Sequence, residues 1–357
     1  GRRTLTTPVF LCPGIFLNRK STTDLVSKTS RRQFIQRSSQ ALGGLALIQA
    51  TPVWAFATRA PLSDLVHRSA HIMGTPIRVS MPLASFQSAQ ADASFSRIQR
   101  VSDLLTVHDN GSQLMQMNSS AGRWTTGKEI SDVARAALTI GHQTDGALDV
   151  TILPAMRRFE FLPGKESEPY GIDFTQLEVK GQTVRMAKSG FETDFGGIAK
   201  GYAVDQAISS LQEERVKAAL LDAGGDLYAL GRPEPDNRWK IGIRHPNRDH
   251  DLIATIEIEN EAVATSGTYV QTRTINGKVV SHLMNPRTGR PVDHVKSSTI
   301  VAPNTMTADG LATATAVMQP GAAQSLIESL PGVEGYWVYS DGTHYVSQGL
   351  KSRLKML

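Results

Sequence analysis

The segment Asp194-Phe195-Gly196-Gly197-Ile198-Ala199-Lys200-Gly201-Tyr202 places adjacent glycines at the start of an amphipathic helix predicted over Ile198 to Leu211. Adjacent glycines let the backbone approach a ligand closely, and the first amides of a helix attract anions. Lys200, within the first turn, suits the neutralisation of a phosphate. The segment therefore predicts an anion site at a helix N-terminus. An ordinary strand-to-helix turn with a surface lysine is the alternative interpretation.

Hydrophobic periodicity outside this segment predicts a mixture of helices and hairpins. Helices are predicted around residues 95–105 and over 129–141, 308–318 and 321–330. Strands are predicted over 71–79, 183–186 and 218–221, and hairpin turns at Asn276-Gly277 and Asp341-Gly342. Because these elements do not alternate regularly, the expected fold class is α+β, with mixed sheets and helices in one large domain of two packed lobes.

The N-terminal region has the features of an export signal. Ser30-Arg31-Arg32-Gln33-Phe34-Ile35 precedes a mild apolar run at 41–48 and then Ala55-Phe56-Ala57, which together are typical of a twin-arginine signal. The apolar run is shorter than the roughly 20 residues that a membrane-spanning helix needs. The sequence therefore predicts a leader with an N-terminal extension over 1–57, a domain over 58–357, and a periplasmic location without a permanent membrane span.

Charge and cysteine content exclude two classes of function for the predicted domain. The whole chain carries a net charge of +5, but residues 1–57 contain eight basic residues against one acidic residue. The domain itself is thus slightly acidic, with a net charge of about −2, which argues against nucleic-acid binding. The single cysteine, Cys12, lies in the predicted leader, so thiol chemistry, disulfides and cysteine-bound zinc are excluded for residues 58–357.

Two further segments carry candidate chemistry. Asp309 and Thr313 lie four residues apart and would share one face at the first turn of a helix, where a carboxylate and a hydroxyl suit Mg²⁺; a helix cap is the alternative. His282, beside the turn Pro286-Arg287-Thr288-Gly289, suits acid–base work or phosphate binding, although a lone histidine is more often structural.

Two acidic turns are weaker signals. The segment 144–151, Thr-Asp-Gly-Ala-Leu-Asp-Val-Thr, predicts a turn followed by a short strand. The segment around Gly224-Gly225-Asp226 predicts a structural glycine turn.

In order and spacing, these segments resemble the ApbE family of FAD:protein FMN transferases. Seven blocks between about Met73 and Ser340 carry the resemblance: Met73-Gly74-Thr75, 145–151, 194–202, 224–226, Thr265-Ser266-Gly267, 282–289 and 308–313. A twin-arginine signal on such a chain resembles the NosX branch, which is accessory to nitrous-oxide respiration.

The resemblance implies a reaction and a set of site residues. Family members bind FAD, cut its pyrophosphate with Mg²⁺ and attach FMN to a Thr or Ser hydroxyl of a target flavoprotein, releasing AMP. By position, Asp309, Thr313 and the carbonyl of Gly197 would hold Mg²⁺, and His282 would be catalytic. The implied FAD-binding residues are Met73, Ser112, Ala147, Leu148, Asp149, Asp194, Lys200, Ser266, Gly267 and Met284.

Two alternatives use the same site. One is an FAD pyrophosphatase that releases FMN and AMP to water, and the other is an FAD-binding carrier without turnover. Asn285 and Ala312 stand where relatives often have acidic residues, and these two departures favour the carrier.

Overall fold

The computed structural model describes residues 65–164, 171–248 and 250–357. The predicted leader lies outside the described residues. The helices are α1 (Ser88–Leu105), α2 (Gln113–Asn118), α3 (Lys128–Gln143), α4 (Leu153–Arg158), α5 (Ala199–Glu213), α6 (Thr305–Val317) and α7 (Pro320–Ser329). None of the helices within these ranges is long and apolar enough to cross a membrane.

The strands are short and mostly joined by hairpins. They are β1 (Leu65–Ile72), β2 (Thr75–Pro82), β3 (Thr125–Thr126), β4 (Leu177–Lys180), β5 (Thr183–Met186), β6 (Ala219–Ala223), β7 (Asp226–Leu230), β8 (Trp239–Arg244), β9 (Leu252–Ile258), β10 (Glu261–Gly267), β11 (Thr272–Ile275), β12 (Lys278–Ser281), β13 (Met284–Asn285), β14 (Arg290–Pro291), β15 (Val295–Ala302), β16 (Glu334–Tyr339), β17 (His344–Val346) and β18 (Leu354–Met356).

An eight-stranded antiparallel sheet in the order β1-β2-β6-β7-β10-β15-β16-β17 forms the centre of the molecule. Alternate residues of its strands enter two different hydrophobic clusters. Leu221 packs with the helices on one face, whereas Leu220 packs with Trp239 and Ile256 of the three-stranded sheet β18-β9-β8 on the other. Burial on both faces explains why β6 is buried along its whole length.

The expected α+β class is confirmed, and so are most predicted elements. The helices predicted over 129–141, 198–211 and 321–330 correspond to α3, α5 and α7, and both predicted hairpin turns join paired strands. The helix predicted to begin at Ala308 begins at Thr305 instead, because Asn304 caps it by accepting a hydrogen bond from the Thr307 N–H at 2.8 Å. Asp309 and Thr313 therefore lie beyond its first turn.

Two strand predictions were wrong. The segment 71–79 is the hairpin of β1 and β2, because Met73 and Gly74 have φ values of 54° and 71° and form its two-residue turn. The segment 144–151 contains no strand. Its amides and hydroxyls bond locally instead: the Thr151 N–H and hydroxyl both donate to Asp149 Oδ1.

Candidate functional site

The N-terminus of α5 has no cap from its own sequence. Its first residue is preceded by Ile198, which has no side-chain acceptor. Asp309, on α6, takes this role, since its Oδ2 accepts a hydrogen bond from the Gly201 N–H at 2.9 Å. The carboxylate therefore lies at the positive end of the α5 dipole.

A reciprocal contact caps α6. Asp205, on α5, accepts hydrogen bonds from the N–H groups of Thr305 at 2.7 Å and Met306 at 2.9 Å. Burial raises the pKa of Asp205 to about 6 in spite of these bonds. Each helix thus provides the carboxylate that caps the other, which fixes Asp309 relative to the start of α5.

The two helices approach closely at Gly201. A Cβ at this position would lie 2.4 Å from the Thr305 carbonyl oxygen and 2.7 Å from the Met306 Cα. Such distances are too short for any side chain, so glycine is required by the packing of α5 on α6.

Lys200 lies between two buried carboxylates. Its Nζ pairs with Asp226 Oδ2 at the start of β7, and it lies 3.5 Å from Asp309 Oδ1. Burial lowers the pKa of Lys200, but the two carboxylates outweigh burial and the net pKa lies above the ordinary value. Burial, together with the charge of Asp309, raises the pKa of Asp226, which Lys200 opposes.

Gly197 and Thr313, two of the three predicted Mg²⁺ ligands, are direct neighbours. A Cβ at Gly197 would lie 3.0 Å from Thr313 Cγ2 and 3.3 Å from Thr313 Oγ1, so the glycine turn runs directly alongside Thr313. Thr313 is one helical turn after Asp309, and its Oγ1 lies 3.2 Å from Ser266 Oγ at the end of β10. Ser266 thereby joins the same cluster.

The donor set is compatible with a small hard cation. In the ranges that the structure describes, no three His, Cys, Asp or Glu side chains are grouped to hold a metal ion. Asp309, Thr313 and the Gly197 carbonyl offer one carboxylate and two neutral oxygens, and Mg²⁺ commonly takes one or two carboxylates and keeps several waters. Ala312 is fully buried in the core and adds no ligand.

His282 follows β12 and is partly buried. Its Nδ1 lies 3.3 Å from the Gln271 carbonyl oxygen, and its ring meets Phe161 edge-on at a centroid distance of 6.3 Å. Burial lowers the pKa of His282 to about 4, with the charge of Lys200 adding to the effect. Because a carbonyl can only accept, Nδ1 carries the proton of the neutral ring and Nε2 is the basic nitrogen.

Asn285 forms the turn that follows His282. Its Oδ1 accepts a hydrogen bond from the Arg287 N–H at 2.9 Å, and its carbonyl accepts from the N–H of Gly289 at 2.8 Å. Either Asn or Asp can make these contacts. Arg287 then pairs with the side chain of Asp145 and donates to its carbonyl at 3.0 Å, which joins two of the sequence blocks.

Several of the predicted FAD-binding residues have structural contacts of their own. Asp149 Oδ2 accepts from the Phe174 N–H at 2.9 Å, while burial raises the pKa of this carboxyl. Ser112 caps α2, since its Oγ accepts from the Met115 N–H at 3.1 Å. Asp194 Oδ1 accepts from the Gly196 N–H at 3.0 Å and shapes the glycine turn, and burial raises the pKa of Asp194.

The remaining predicted residues are apolar or lack side chains. Leu148 and Met284 are buried, and Met73 and Ala147 are partly buried against the helical core. Gly267 lies against the Tyr269 ring, because a Cβ there would be 2.7 Å from Tyr269 Cε1. Their assignment to FAD stays a prediction.

Sequence reasoning missed Asp205 and Asp226. Asp226 belongs to the Gly224-Gly225-Asp226 segment, which was interpreted as a structural turn. Asp205 lies within a predicted helix, and no neighbouring residue in the sequence indicates a functional role for it. Both make their contacts with residues distant in sequence. Asp205 bonds to Thr305, which is 100 positions away, and Asp226 pairs with Lys200, which is 26 positions away.

A protein-family model covers the segments that form this cluster. The model of the ApbE family matches residues 73–337, which include the glycine turn, the Lys200 cluster and the predicted ligands. The chain belongs to the ApbE family. The resemblance noted from the sequence blocks is thereby confirmed.

Curated ApbE relatives cover most of the chain. The FAD:protein FMN transferase of Salmonella typhimurium is 28% identical over 293 residues, 76% of this chain and 83% of that protein. A FAD:protein FMN transferase of Klebsiella pneumoniae is 31% identical over 256 residues, 68% of this chain and 78% of that protein.

Solved ApbE structures share the fold. The ApbE protein of Thermotoga maritima matches with a TM-score of 0.73 and 27% identity, covering 81% of this chain and 99% of that one. The flavin transferase ApbE of Vibrio cholerae matches with a TM-score of 0.72 and 25% identity over the same shares.

Proposed function

We propose that this ApbE protein is a Mg²⁺-dependent FAD:protein FMN transferase. It transfers the FMN part of FAD to a Thr or Ser hydroxyl of an acceptor flavoprotein and releases AMP. The observation that carries the proposal is the convergence of Lys200, Asp309, Thr313 and Ser266 beside the Gly196-Gly197 turn. The names of the curated relatives support the same reaction.

The cluster suits charge neutralisation at a diphosphate. Phosphoryl transfer depends mainly on positioning and on electrostatic stabilisation of phosphate oxygens. Lys200 is protonated and only 31% exposed, so water screens its charge weakly. When bound by Asp309, Thr313 and the Gly197 carbonyl, Mg²⁺ would supply further positive charge at the scissile bridge.

His282 is suited to accept the proton of the acceptor hydroxyl. The hydroxyl oxygen forms a bond to the phosphorus of the FMN part, and the bond between this phosphorus and the bridging oxygen breaks. The electron pair of that bond leaves with AMP. The hydroxyl proton passes to Nε2 of His282, which is unprotonated at neutral pH because the pKa is lowered to about 4.

We place the reaction outside the cytoplasm because the sequence predicts a twin-arginine leader, a segment that lies outside the described residues. An acceptor in the periplasm or at the membrane surface follows from this proposal. Replacing Arg31 and Arg32 together by lysine should leave the protein in the cytoplasmic fraction, and export of this variant at the normal level would contradict the placement.

The activity is tested with the purified chain, FAD, Mg²⁺ and an acceptor protein that carries a flavinylation site. Intact mass spectrometry should show one added FMN per acceptor, with one AMP released for each. Free FMN and AMP with an unmodified acceptor would indicate the pyrophosphatase instead. FAD binding without any AMP would indicate the carrier.

Asp309→Asn is the variant that tests the role of Asp309 in this assay. The amide keeps an oxygen for the Gly201 N–H but loses the charge, so we expect turnover to fall by about 100-fold or more. FAD affinity should fall far less, because Lys200 and the glycine turn remain. Equal loss of turnover and of FAD affinity would contradict the assignment of Asp309.

A further inference from the structure

Asp226 is a buried carboxylate that the reaction above does not use. It is the first residue of β7 and only 3% exposed. The preceding residues, Gly224 and Gly225, form the two-residue turn between β6 and β7 with φ values of 69° and 107°. Asp222 Oδ1 holds this turn by accepting a hydrogen bond from the Gly225 N–H at 2.9 Å. Asp226 is therefore presented by a rigid hairpin.

The ammonium of Lys200 is shared unequally between two carboxylates. Asp226 Oδ2 is its closer partner, and Asp309 Oδ1 lies 3.5 Å away. The two carboxylate side chains are only 4% and 3% exposed, so solvent does little to weaken either attraction. A lysine ammonium has three N–H donors, of which two face Asp226 and Asp309 and one is left for a phosphate oxygen.

The two oxygens of Asp309 have different surroundings. Oδ2 accepts a hydrogen bond from the Gly201 N–H at 2.9 Å, whereas Oδ1 faces Lys200 Nζ at 3.5 Å. Oδ1 is therefore the oxygen that a divalent cation can approach most easily. A closer approach of Lys200 to Oδ1 would block it and cancel its charge.

We propose that Asp226 is a positioning residue that holds Lys200 off Asp309 and so keeps Asp309 Oδ1 available to a divalent cation. The inference rests on the proposed role of Asp309 as a metal ligand. With Asp226 present, the ammonium of Lys200 is shared between two carboxylates, so it neutralises Asp309 only in part. Without Asp226, Lys200 and Asp309 form a neutral pair, and the cation loses most of its attraction.

The inference is tested by binding of Mn²⁺ alone, measured from the electron paramagnetic resonance signal of the free ion. Asp226→Asn keeps the shape of the side chain but releases Lys200, so we expect Mn²⁺ affinity to fall about tenfold or more. Asp222→Asn is the matched control: it removes a buried carboxylate of the same hairpin that does not pair with Lys200. Its Mn²⁺ affinity should change by no more than about threefold, since a charge farther from the cation interacts more weakly.

Removal of Lys200 separates positioning from a structural effect. Lys200→Met should raise Mn²⁺ affinity above that of the unmodified chain, because both carboxylates then lack their ammonium. In the double variant Asp226→Asn with Lys200→Met, Asp309 again carries an uncancelled charge and Mn²⁺ affinity should return to within about threefold of the original value. If Asp226→Asn weakened binding only by damaging the fold, the second substitution would not restore Mn²⁺ affinity.

Several outcomes would overturn the inference. Unchanged Mn²⁺ affinity in Asp226→Asn would do so while leaving the proposed reaction intact. A double variant that binds as weakly as Asp226→Asn would show that Asp226 acts through folding or as a ligand. Lys200→Met that binds Mn²⁺ no more tightly than the unmodified chain would also contradict the inference, whether or not Asp226→Asn folds. Absence of Mn²⁺ binding to the unmodified chain would overturn the metal assignment as well.

Discussion

His282 is the residue whose protonation state matters most to the proposed reaction. Burial and the nearby charge of Lys200 lower its pKa to about 4, so the imidazole should stay neutral between pH 5 and pH 8. We expect its NMR resonances, identified by their loss in His282→Gln, to titrate near pH 4 in the folded chain. In denaturant the same side chain should titrate near its ordinary value of about 6.5. A folded-state pKa close to 6.5 would show that burial and the charge of Lys200 do not act on the His282 ring as described.

The sequence identified the residues that come together, because each stands in a segment with its own local signal. The glycine turn, Lys200, Asp309 and Thr313 were all found in this way. The contacts among them were not predictable, because they depend on how α5 meets α6 and on where the β6–β7 hairpin ends. Asp226 shows the difference well: its turn was recognised, but its ion pair with Lys200 exists only in the folded chain.

The pairing of α5 with α6 is the element-level feature that builds the site. Gly201→Ala would place a Cβ 2.4 Å from the Thr305 carbonyl oxygen and force the helices apart. We expect the free energy of unfolding to fall by about 1–3 kcal/mol, measured by urea denaturation followed by circular dichroism. Loss of the Asp309 and Asp205 caps would accompany this shift.

Gly321→Ala on α7 is the matched control for this substitution. A Cβ at Gly321 has no heavy atom within 4 Å, so alanine should be neutral or stabilising by up to about 1 kcal/mol through its better helix propensity. If both variants changed stability alike, close packing at Gly201 would not be the cause.

Element boundaries were less predictable than element types, and the reasons are local. The α6 start moved to Thr305 because Asn304 and Asp205 satisfy its first amides, and Asp205 comes from another helix. The β1–β2 turn was missed because Met73 adopts a positive φ, which apolar residues rarely do. Helices with clear apolar faces, such as α3, were predicted to within a few residues.

The ionisation of Asp222, a buried residue of the central sheet, should affect the stability of the whole molecule. Asp222 lies opposite Arg78 in the β2–β6 pairing, and burial raises its pKa to about 6. Since the unfolded value is near 4, the folded chain holds this proton more tightly, and stability is lost as pH rises from about 4 to about 6. Asp222→Asn removes this loss.

Relative to the unmodified chain, we therefore expect the unfolding free energy of Asp222→Asn to rise by about 2–3 kcal/mol between pH 4 and pH 7. Urea titrations at both pH values measure this difference. Asp341→Asn should show little difference between these pH values, because hydrogen bonds from Thr343 lower the pKa of this exposed carboxyl and its effect on stability falls mainly below pH 4. A pH-independent difference for Asp222→Asn would show that Asp222 is not held protonated by burial.

The central sheet connects these features, since one of its faces packs against α5 and α6 and its strands β7 and β10 carry Asp226 and Ser266. The sequence predicted the α+β class from its hairpins and helices. It did not predict that helices cover one face of the sheet and a second sheet covers the other. A strand that is buried on both faces, such as β6, lacks the alternation of polar and apolar residues that would reveal its faces.

The most direct test of the account is a crystal structure with FAD and Mn²⁺, using the anomalous signal of the metal. We predict one Mn²⁺ at about 2.2 Å from Asp309 Oδ1 and Thr313 Oγ1, with the FAD diphosphate within hydrogen-bond reach of Lys200 Nζ. A diphosphate bound away from Lys200, or a metal peak that contacts neither Asp309 nor Thr313, would contradict the account.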